Sequence, residues 1–294
     1  MRAAFTYLRP RSPQEAVEFK SRYGDRARFW AGGTDMVLLW EAGAVTLDYC
    51  IDLTFLEDFG EIDQDSHGLR IGSLVTLDAL VSASHRSPTL RALGETARLM
   101  CTPQTRTIAT IGGNLCHASP SADLPPLLIA MDARVQLLGT SGERALSVED
   151  FLLGVNQTAI ADDEMLTAIE IPVPSERREA SYRRIARTVV DIALVSSSAS
   201  ITASEVGVID AARVVLGSVG TTPIRSRAAE QALVGQNLED LDKSLLGEVG
   251  RLAAADSRPI SDVRAGEAYR KQMCNVLTRR AIEDCAHWLG VGSA

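Results

Sequence analysis

The chain has 294 residues, a formal net charge of −8, 46% hydrophobic residues and 23% charged residues. This is the composition of a soluble globular protein, and the length calls for two domains rather than one simple core. The acidic balance excludes a surface for double-stranded nucleic acid, which needs clustered Lys and Arg; Arg183, Arg184 and Arg187, and Arg279 and Arg280, form short runs mixed with apolar residues.

The N-terminal run Met1–Tyr7 lacks the apolar core of about 7–15 residues that a signal peptide requires. No stretch of about 18 apolar residues exists, so no transmembrane helix is expected and the location read from the sequence is cytoplasmic. The five cysteines, Cys50, Cys101, Cys116, Cys274 and Cys285, contain no C-x-x-C pair and match no zinc or iron–sulfur spacing. They read as reduced, mostly buried thiols, and no metal is expected on this chain.

Ser12-Pro13-Gln14-Glu15 predicts a helix start, with Ser at the N-cap, Pro in the first turn and Glu three residues on. A strand over Arg28–Ala31 leads into Ala31-Gly32-Gly33-Thr34-Asp35, and a helix over Met36–Trp40 follows. Leu47–Leu53 alternates as a strand does. Further strands are expected at Leu69–Val75, Arg134–Leu138 and Leu166–Val173, and helices at Thr76–Leu80, from Ser87-Pro88, and at Leu127–Met131. Thr107–Asn114 is rich in β-branched residues and predicts a strand ending in a second glycine loop, Thr110-Ile111-Gly112-Gly113-Asn114.

Pro172-Val173-Pro174-Ser175-Glu176-Arg177 is the best linker candidate. Beyond it, a strand is expected at Ser181–Ile185, a long apolar run covers Asp191–Ile201, and another strand is expected at Ala211–Val219. Helices are expected at Ala228–Leu233 and Leu245–Ala255. A last helix from about Val263 would set Ala265, Tyr269, Met273, Val276 and Leu277 on one face, read as domain core in preference to an assembly surface.

The two glycine loops, about 80 residues apart, carry the chemistry. Consecutive glycines let backbone bend and approach a ligand closely, and successive N–H groups in such bends form a nest for phosphate oxygens. Either loop alone reads as a tight turn; the pair, each with Thr and an amide or acid, suggests a diphosphate gripped from two sides. Neither G-x-G-x-x-G nor G-x-x-x-x-G-K-[ST] occurs. Asp123, nine residues past Asn114, reads equally as an acceptor for ribose hydroxyls and as an N-cap. No nucleophile elbow, H-E-x-x-H or Ser-His-Asp spacing is present, so no catalytic residue is assigned and the chemistry is expected from a bound cofactor.

In this order the motifs resemble those of the flavoprotein (medium) subunit of molybdenum hydroxylases. That family includes the carbon monoxide dehydrogenase medium subunit, the xanthine dehydrogenase flavin domain and the flavin subunits of nicotine- and ketone-degrading dehydrogenases. The resemblance spans nearly the whole chain. It rests on Phe5–Pro10, Ser12–Ala16, Ala31–Asp35, Thr110–Asn114, Ser119–Asp123, Ile169–Pro172, Asp191–Ala193, Pro223 with Ala229-Glu230, Ser261–Ala265, Tyr269-Arg270 and Arg279–Ala281.

The resemblance implies an α+β fold. Residues 1–176 would form an FAD-binding region of the PCMH/carbon monoxide dehydrogenase flavoprotein type, with subdomains at about 1–54 and 55–176. Residues 177–294 would form a C-terminal α+β domain with a small antiparallel sheet, and FAD would lie extended between the parts. It further implies that Ala31, Gly32, Gly33, Thr34 and Asp35 with Thr110, Ile111, Gly112, Gly113 and Asn114 hold the pyrophosphate. Asp123 would bond the adenosine side, Leu166 would line the flavin region, and Arg183 or Arg184 would replace a lysine that reaches the flavin in some relatives. His117 reads as a structural loop histidine in preference to a catalytic or flavin-linking one.

The implied partners are a small subunit with two [2Fe–2S] clusters and a large molybdopterin subunit, in a heterotrimer or a dimer of heterotrimers. Electrons would pass from the clusters to FAD and on to an external acceptor. A self-sufficient FAD-dependent reductase or oxidase is the alternative, and a scaffold protein that has lost its cofactor is the non-enzymatic one.

Overall fold

A computed structural model describes residues 5–66, 68–173 and 177–290. Met1–Ala4, His67, Pro174–Glu176 and Val291–Ala294 lie outside the described residues, and with them fall part of the N-terminal signal reading and the centre of the proline linker. The chain forms two compact units, each discontinuous in sequence. One comprises Met1–Ala79, Thr102–Ala118 and Ala133–Ile171, the other Leu80–Cys101, Ser119–Asp132 and Pro172–Ala294.

In the first unit, Tyr49–Asp52 lies between Thr6–Leu8 and Ala27–Trp30 in a parallel three-stranded sheet. The helix Pro13–Tyr23 starts as its sequence predicts: Ser12 Oγ accepts from Glu15 N at 3.2 Å. The Glu15 carboxylate accepts from Arg11 N at 2.5 Å, one residue further back than the usual capping box. A second sheet runs in the order Ile62–Gln64, Gly68–Gly72, Met165–Pro172, Arg134–Gly139, Gly142–Ser147. Ala16, Val17 and Ile51 share one core with Phe59, Leu138 and Met165, so a single apolar cluster joins these two sheets.

Thr107–Asn114 is not a strand. The helix Pro103–Arg106 ends just before this stretch and Ile111–His117 begins within it, capped by Thr102 and Thr110, whose hydroxyls accept from Thr105 N and Gly113 N. The β-branched residues that suggested a strand include one of these caps. The one ladder-like contact at the site is an isolated bridge between Thr76 and Thr110.

In the second unit, Arg177–Ile185, Val195–Ala203, Ile209–Gly217 and Ile224–Arg225 form an antiparallel sheet in chain order. The helices Arg227–Leu233, Lys243–Asp256 and Glu267–Trp288 bury Ala229, Leu246, Val249, Leu277 and Ile282 against Val214 and Leu216 of the sheet. The helix Leu124–Ala130 also packs on this sheet. A Cβ on Gly217 would lie 2.6 Å from Pro126, so the glycine admits a close approach.

The last helix is core, as expected, but it starts at Glu267 rather than near Val263. Ser261–Ala265 instead wraps Asp262, whose Oδ1 accepts from Arg264 N (2.9 Å), Ala265 N (3.1 Å) and Arg270 Nη2 (2.8 Å). Arg270 is buried and also donates to the Leu194 carbonyl at 2.5 Å. The buried stripe therefore runs Arg270, Cys274, Leu277, Thr278, Ala281, and Tyr269 is 41% exposed. An arginine paired inward displaced the apolar face that hydropathy predicted.

The backbone donors of Arg264 and Ala265, then Arg270, hold the Asp262 carboxyl down at about 2 against an ordinary 3.8. A depressed acid stabilises the fold fully above its ordinary value and loses that contribution as pH falls through the folded value. Asp262→Asn therefore lowers the unfolding midpoint at pH 7, and its gap from wild type closes only between pH 4 and about 2, as measured by denaturant titration across that range.

Candidate functional site

The first glycine loop joins the strand Ala27–Trp30 to the short helix Met36–Glu41. Gly33 has φ +68°, a left-handed conformation that a side chain resists, and a Cβ there would also strike the Trp30 ring. Among the described residues, no hydrogen-bond acceptor is found for the backbone N–H groups of Gly32, Gly33, Thr34 and Asp35. These residues are only partly buried, and Asp35 is exposed. N–H groups at a helix N-terminus are left to solvent or a ligand, and successive open donors make a nest suited to an anion.

The second loop is built differently. Ile111 N donates to Val75 O (3.0 Å), Gly112 N to Ser73 O (2.9 Å), Gly113 N to Thr110 Oγ1 (3.0 Å) and Asn114 N to Thr110 O (3.0 Å). Its amides are committed inside the protein. Gly113 lies in the first turn of a helix, and Gly113 is absent from the glycines of positive φ. What the second loop offers a ligand is side-chain chemistry: Asn114 Oδ1 and the neighbouring Ser73 Oγ are buried without a hydrogen-bond partner.

The two loops meet. A Cβ on Gly32 would lie 1.9 Å from the Ile108 carbonyl oxygen, so the first loop passes directly over the segment that leads into the second. His117, which ends the helix after the second loop, brings Nε2 to 3.8 Å from Asp35 Oδ1. The structure brings the two loops into one locality, with Ser73 and the His117–Asp35 pairing beside them, neither of which the sequence singled out. Leu166, in the strand Met165–Pro172 of the same unit, is buried opposite Leu137.

Asp123, Arg183 and Arg184 belong to the second unit. Asp123 sits at the N-cap position of Leu124–Ala130, but its side chain makes no cap bond. The carboxylate instead accepts from Arg184 Nη1 at 3.0 and 3.1 Å and from the Tyr182 hydroxyl. Both partners of the ion pair are nearly closed off, at 7% and 9% side-chain exposure. Burial raises the Asp123 carboxyl's pKa while Arg184 and Tyr182 oppose that; burial and the adjacent carboxylate push the Tyr182 phenol well above its ordinary value.

Arg184 also donates to the carbonyls of Leu99 (2.5 Å) and Val189 (2.8 Å). Arg183 points to the other side of its strand, where it grips Asp284 at 2.5 and 2.6 Å. The period of two along a strand puts Tyr182 with Arg184, and Ser181 with Arg183 on Asp284. That periodicity was the available signal for Tyr182.

Comparison with known proteins decides the family. The description "FAD binding domain in molybdopterin dehydrogenase" matches residues 3–174, and "CO dehydrogenase flavoprotein C-terminal domain" matches residues 180–285. The chain belongs to the FAD-binding family of molybdopterin dehydrogenases. It is 33% identical over 280 residues to the carbon monoxide dehydrogenase medium chain of Afipia carboxidovorans, covering 95% of this chain and 96% of that one. It is 27% identical to a xanthine dehydrogenase FAD-binding subunit of Escherichia coli O157:H7, covering 88% of each.

Among solved structures, a chain of the Cu,Mo-CO dehydrogenase superposes with TM-score 0.91 at 32% identity, covering 98% of this chain and 99% of that chain. A chain of quinoline 2-oxidoreductase from Pseudomonas putida 86 gives 0.89 at 28% identity, with 98% and 99% covered. The α+β class and the two-part FAD-binding and C-terminal architecture expected from the motifs hold for this family member. The free amides of the first loop and the unpartnered Ser73 and Asn114 atoms fit a cofactor that brings phosphate and hydroxyl groups. Among the described residues, no helix is long and apolar enough to cross a membrane.

Two substitutions separate the roles of the glycines. Gly32→Ala drives a methyl into the Ile108 carbonyl and lowers the melting temperature, whereas Gly113→Ala meets only the Thr110 hydroxyl at 3.0 Å and stays within about 1 kcal/mol of wild type. Asp123→Ala strands the buried Arg184 charge and costs about 3–5 kcal/mol in denaturant titration, much of it recovered by Asp123→Ala/Arg184→Met.

Proposed function

We propose that the chain is the FAD-carrying electron-transfer subunit of a multi-subunit molybdenum hydroxylase. The observation that carries the reading is the row of unbonded amides at Gly32–Asp35, inside the segment that matches the FAD-binding family. Residues 1–176 and 177–294 are read as its FAD-binding and C-terminal domains.

The first loop, Ala31 to Asp35, donates backbone N–H groups to the pyrophosphate. The second, Thr110 to Asn114, holds its own backbone rigid and presents Asn114 and the Thr110 hydroxyl. Leu166 supplies an apolar wall. Asp123, kept in one orientation by Tyr182 and Arg184, offers its remaining lone pairs to hydroxyl groups of the cofactor. Arg183 or Arg184 takes the basic position; Arg183 is tied to Asp284 and Arg184 to Asp123, on opposite sides of the strand.

FAD held by these residues supplies a redox centre that takes electrons from the [2Fe–2S] clusters of a small partner subunit and gives them to an external acceptor. The large molybdopterin subunit carries substrate oxidation, so this chain needs no proton donor or nucleophile of its own. The name "medium chain" carried by the relatives supports small and large partner subunits. A heterotrimer, or a dimer of heterotrimers, located in the cytoplasm, completes the reading.

The test is spectroscopic. The purified chain is expected to release close to one equivalent of FAD into the supernatant on acid precipitation, and to co-purify with an iron–sulfur and a molybdopterin subunit from its native source. Turnover of an organic substrate by the isolated chain would overturn the subunit reading, and failure to bind added FAD would overturn the cofactor reading.

A further inference from the structure

The antiparallel sheet of the second unit carries a hollow of ≈ 350 Å³ on one face. The period of two along a strand sets its floor. Arg178 lies opposite Thr202, and Thr202 opposite Ala211; one step along, Ala180 lies opposite Ser200, and Ser200 opposite Arg213. The arginines therefore stand at diagonal corners of the floor, with the hydroxyls between them, and the alanines at the other corners are too small to fill the space. Asp132, which turns left-handed (φ 55°) just past the helix Leu124–Ala130, walls one side.

The polar groups of this floor are short of partners. Ser200 is 3% exposed and Thr202 is partly buried, yet among the described residues neither hydroxyl makes a hydrogen bond. Arg178 donates Nη1 to the Met131 carbonyl at 3.4 Å and Nη2 to the Pro172 carbonyl at 2.6 Å, and among the described residues no carboxylate bonds it. Burial pulls its pKa down from the ordinary value; Asp132 opposes that, and the nearby Arg213 adds to it. Arg213 gives Nε to Asp132 Oδ1 at 2.9 Å and Nη1 to the Ala212 carbonyl at 3.0 Å, which leaves its Nη2 unbonded.

A desolvated guanidinium with no bonded carboxylate is costly unless an anion reaches it. Two acids lie at the rim, and neither fills that role. Asp132 is 44% exposed and is bonded to Arg213, and Asp210 is the exposed extra residue of a β-bulge. Water screens both more than it screens Arg178. We propose that this hollow binds a small oxyanion, a phosphate or carboxylate group held between Arg178 and Arg213 with its oxygens on the Ser200 and Thr202 hydroxyls. Guanidinium forks match such groups and hydroxyls donate to them. The site lies wholly in the second unit and uses no residue assigned to the flavin, so it stands apart from the FAD reading.

The experiment is a calorimetric titration of the FAD-saturated full chain with inorganic phosphate and, separately, with acetate, each against chloride of matched ionic strength. Saturating flavin keeps the anion off the glycine loops. Saturable binding with a Kd at or below about 1 mM is expected for at least one of the two anions. Arg213→Gln is expected to weaken it about tenfold, the worth of one charge-assisted bond, with flavin content unchanged. Ser200→Ala/Thr202→Val keeps both charges and is expected to weaken it about fivefold. That double variant carries the test if Arg213→Gln fails to fold.

Binding of phosphate alone assigns the hollow to phosphoryl groups and binding of acetate alone to carboxylates; either supports the inference. No saturable binding of either anion by the wild-type chain overturns it. So does binding that both variants leave unchanged, which would put the anion elsewhere on the surface. A wild-type chain that takes up no FAD overturns the flavin reading alone, and the same variants then decide this inference on the flavin-free chain.

Discussion

The function proposed for this chain depends on an uneven distribution of backbone hydrogen bonds between two glycine loops that touch. Burying a peptide N–H without a partner is costly, so native chains pair nearly all of them. The second loop obeys that rule: its four amides are taken by Val75, Ser73 and Thr110. The first loop is only partly buried; with Gly33 left-handed and Gly32 pressed against Ile108, its Gly32–Asp35 amides have no acceptor among the described residues and stay open to solvent or a ligand. The committed loop fixes the geometry of the uncommitted one. An acidic protein of net charge −8 gains nothing from its overall field when it binds an anion, so local amide donors have to supply the attraction.

The two acidic residues singled out from the sequence, Asp35 and Asp123, share one local history. Each stands at a helix N-cap in an α-region backbone conformation rather than the extended one that lets a side chain reach its own helix, and neither caps. Each is diverted to a basic partner, His117 in one unit and Arg184 in the other. The difference lies in burial. Asp35 and His117 are solvent-accessible and their pairing is weak, while Asp123 and Arg184 are closed in with Tyr182, so breaking that pair leaves a stranded charge.

Much of the fold could be read in advance where a local rule and the tertiary structure agree. Ser12 and Ser87 cap their helices as S-P patterns predict, and the alternating run at Leu47–Leu53 contains a strand. The failures have physical causes. At Thr107–Asn114 the β-branched content outweighed the capping role of Thr110. At the last helix, a buried Arg270 paired with Asp262 and Leu194 turned the inward face by one residue. The edge strand Gly142–Ser147 was missed because its Gly-Glu-Arg start carries no strand signal and lies exposed. For the candidate site, motif order singled out both loops and Asp123. It could not reveal which loop keeps free amides or that Asp123 is locked by Tyr182, since both follow from which acceptors the fold brings near.

The most direct measurement is residue-resolved amide hydrogen exchange of the chain with and without FAD. The account predicts that FAD slows exchange at Gly32, Gly33, Thr34 and Asp35, while Ile111–Asn114, already bonded within the protein, exchange slowly in both states. Protection gained at Ile111–Asn114 with Gly32–Asp35 unchanged would contradict it.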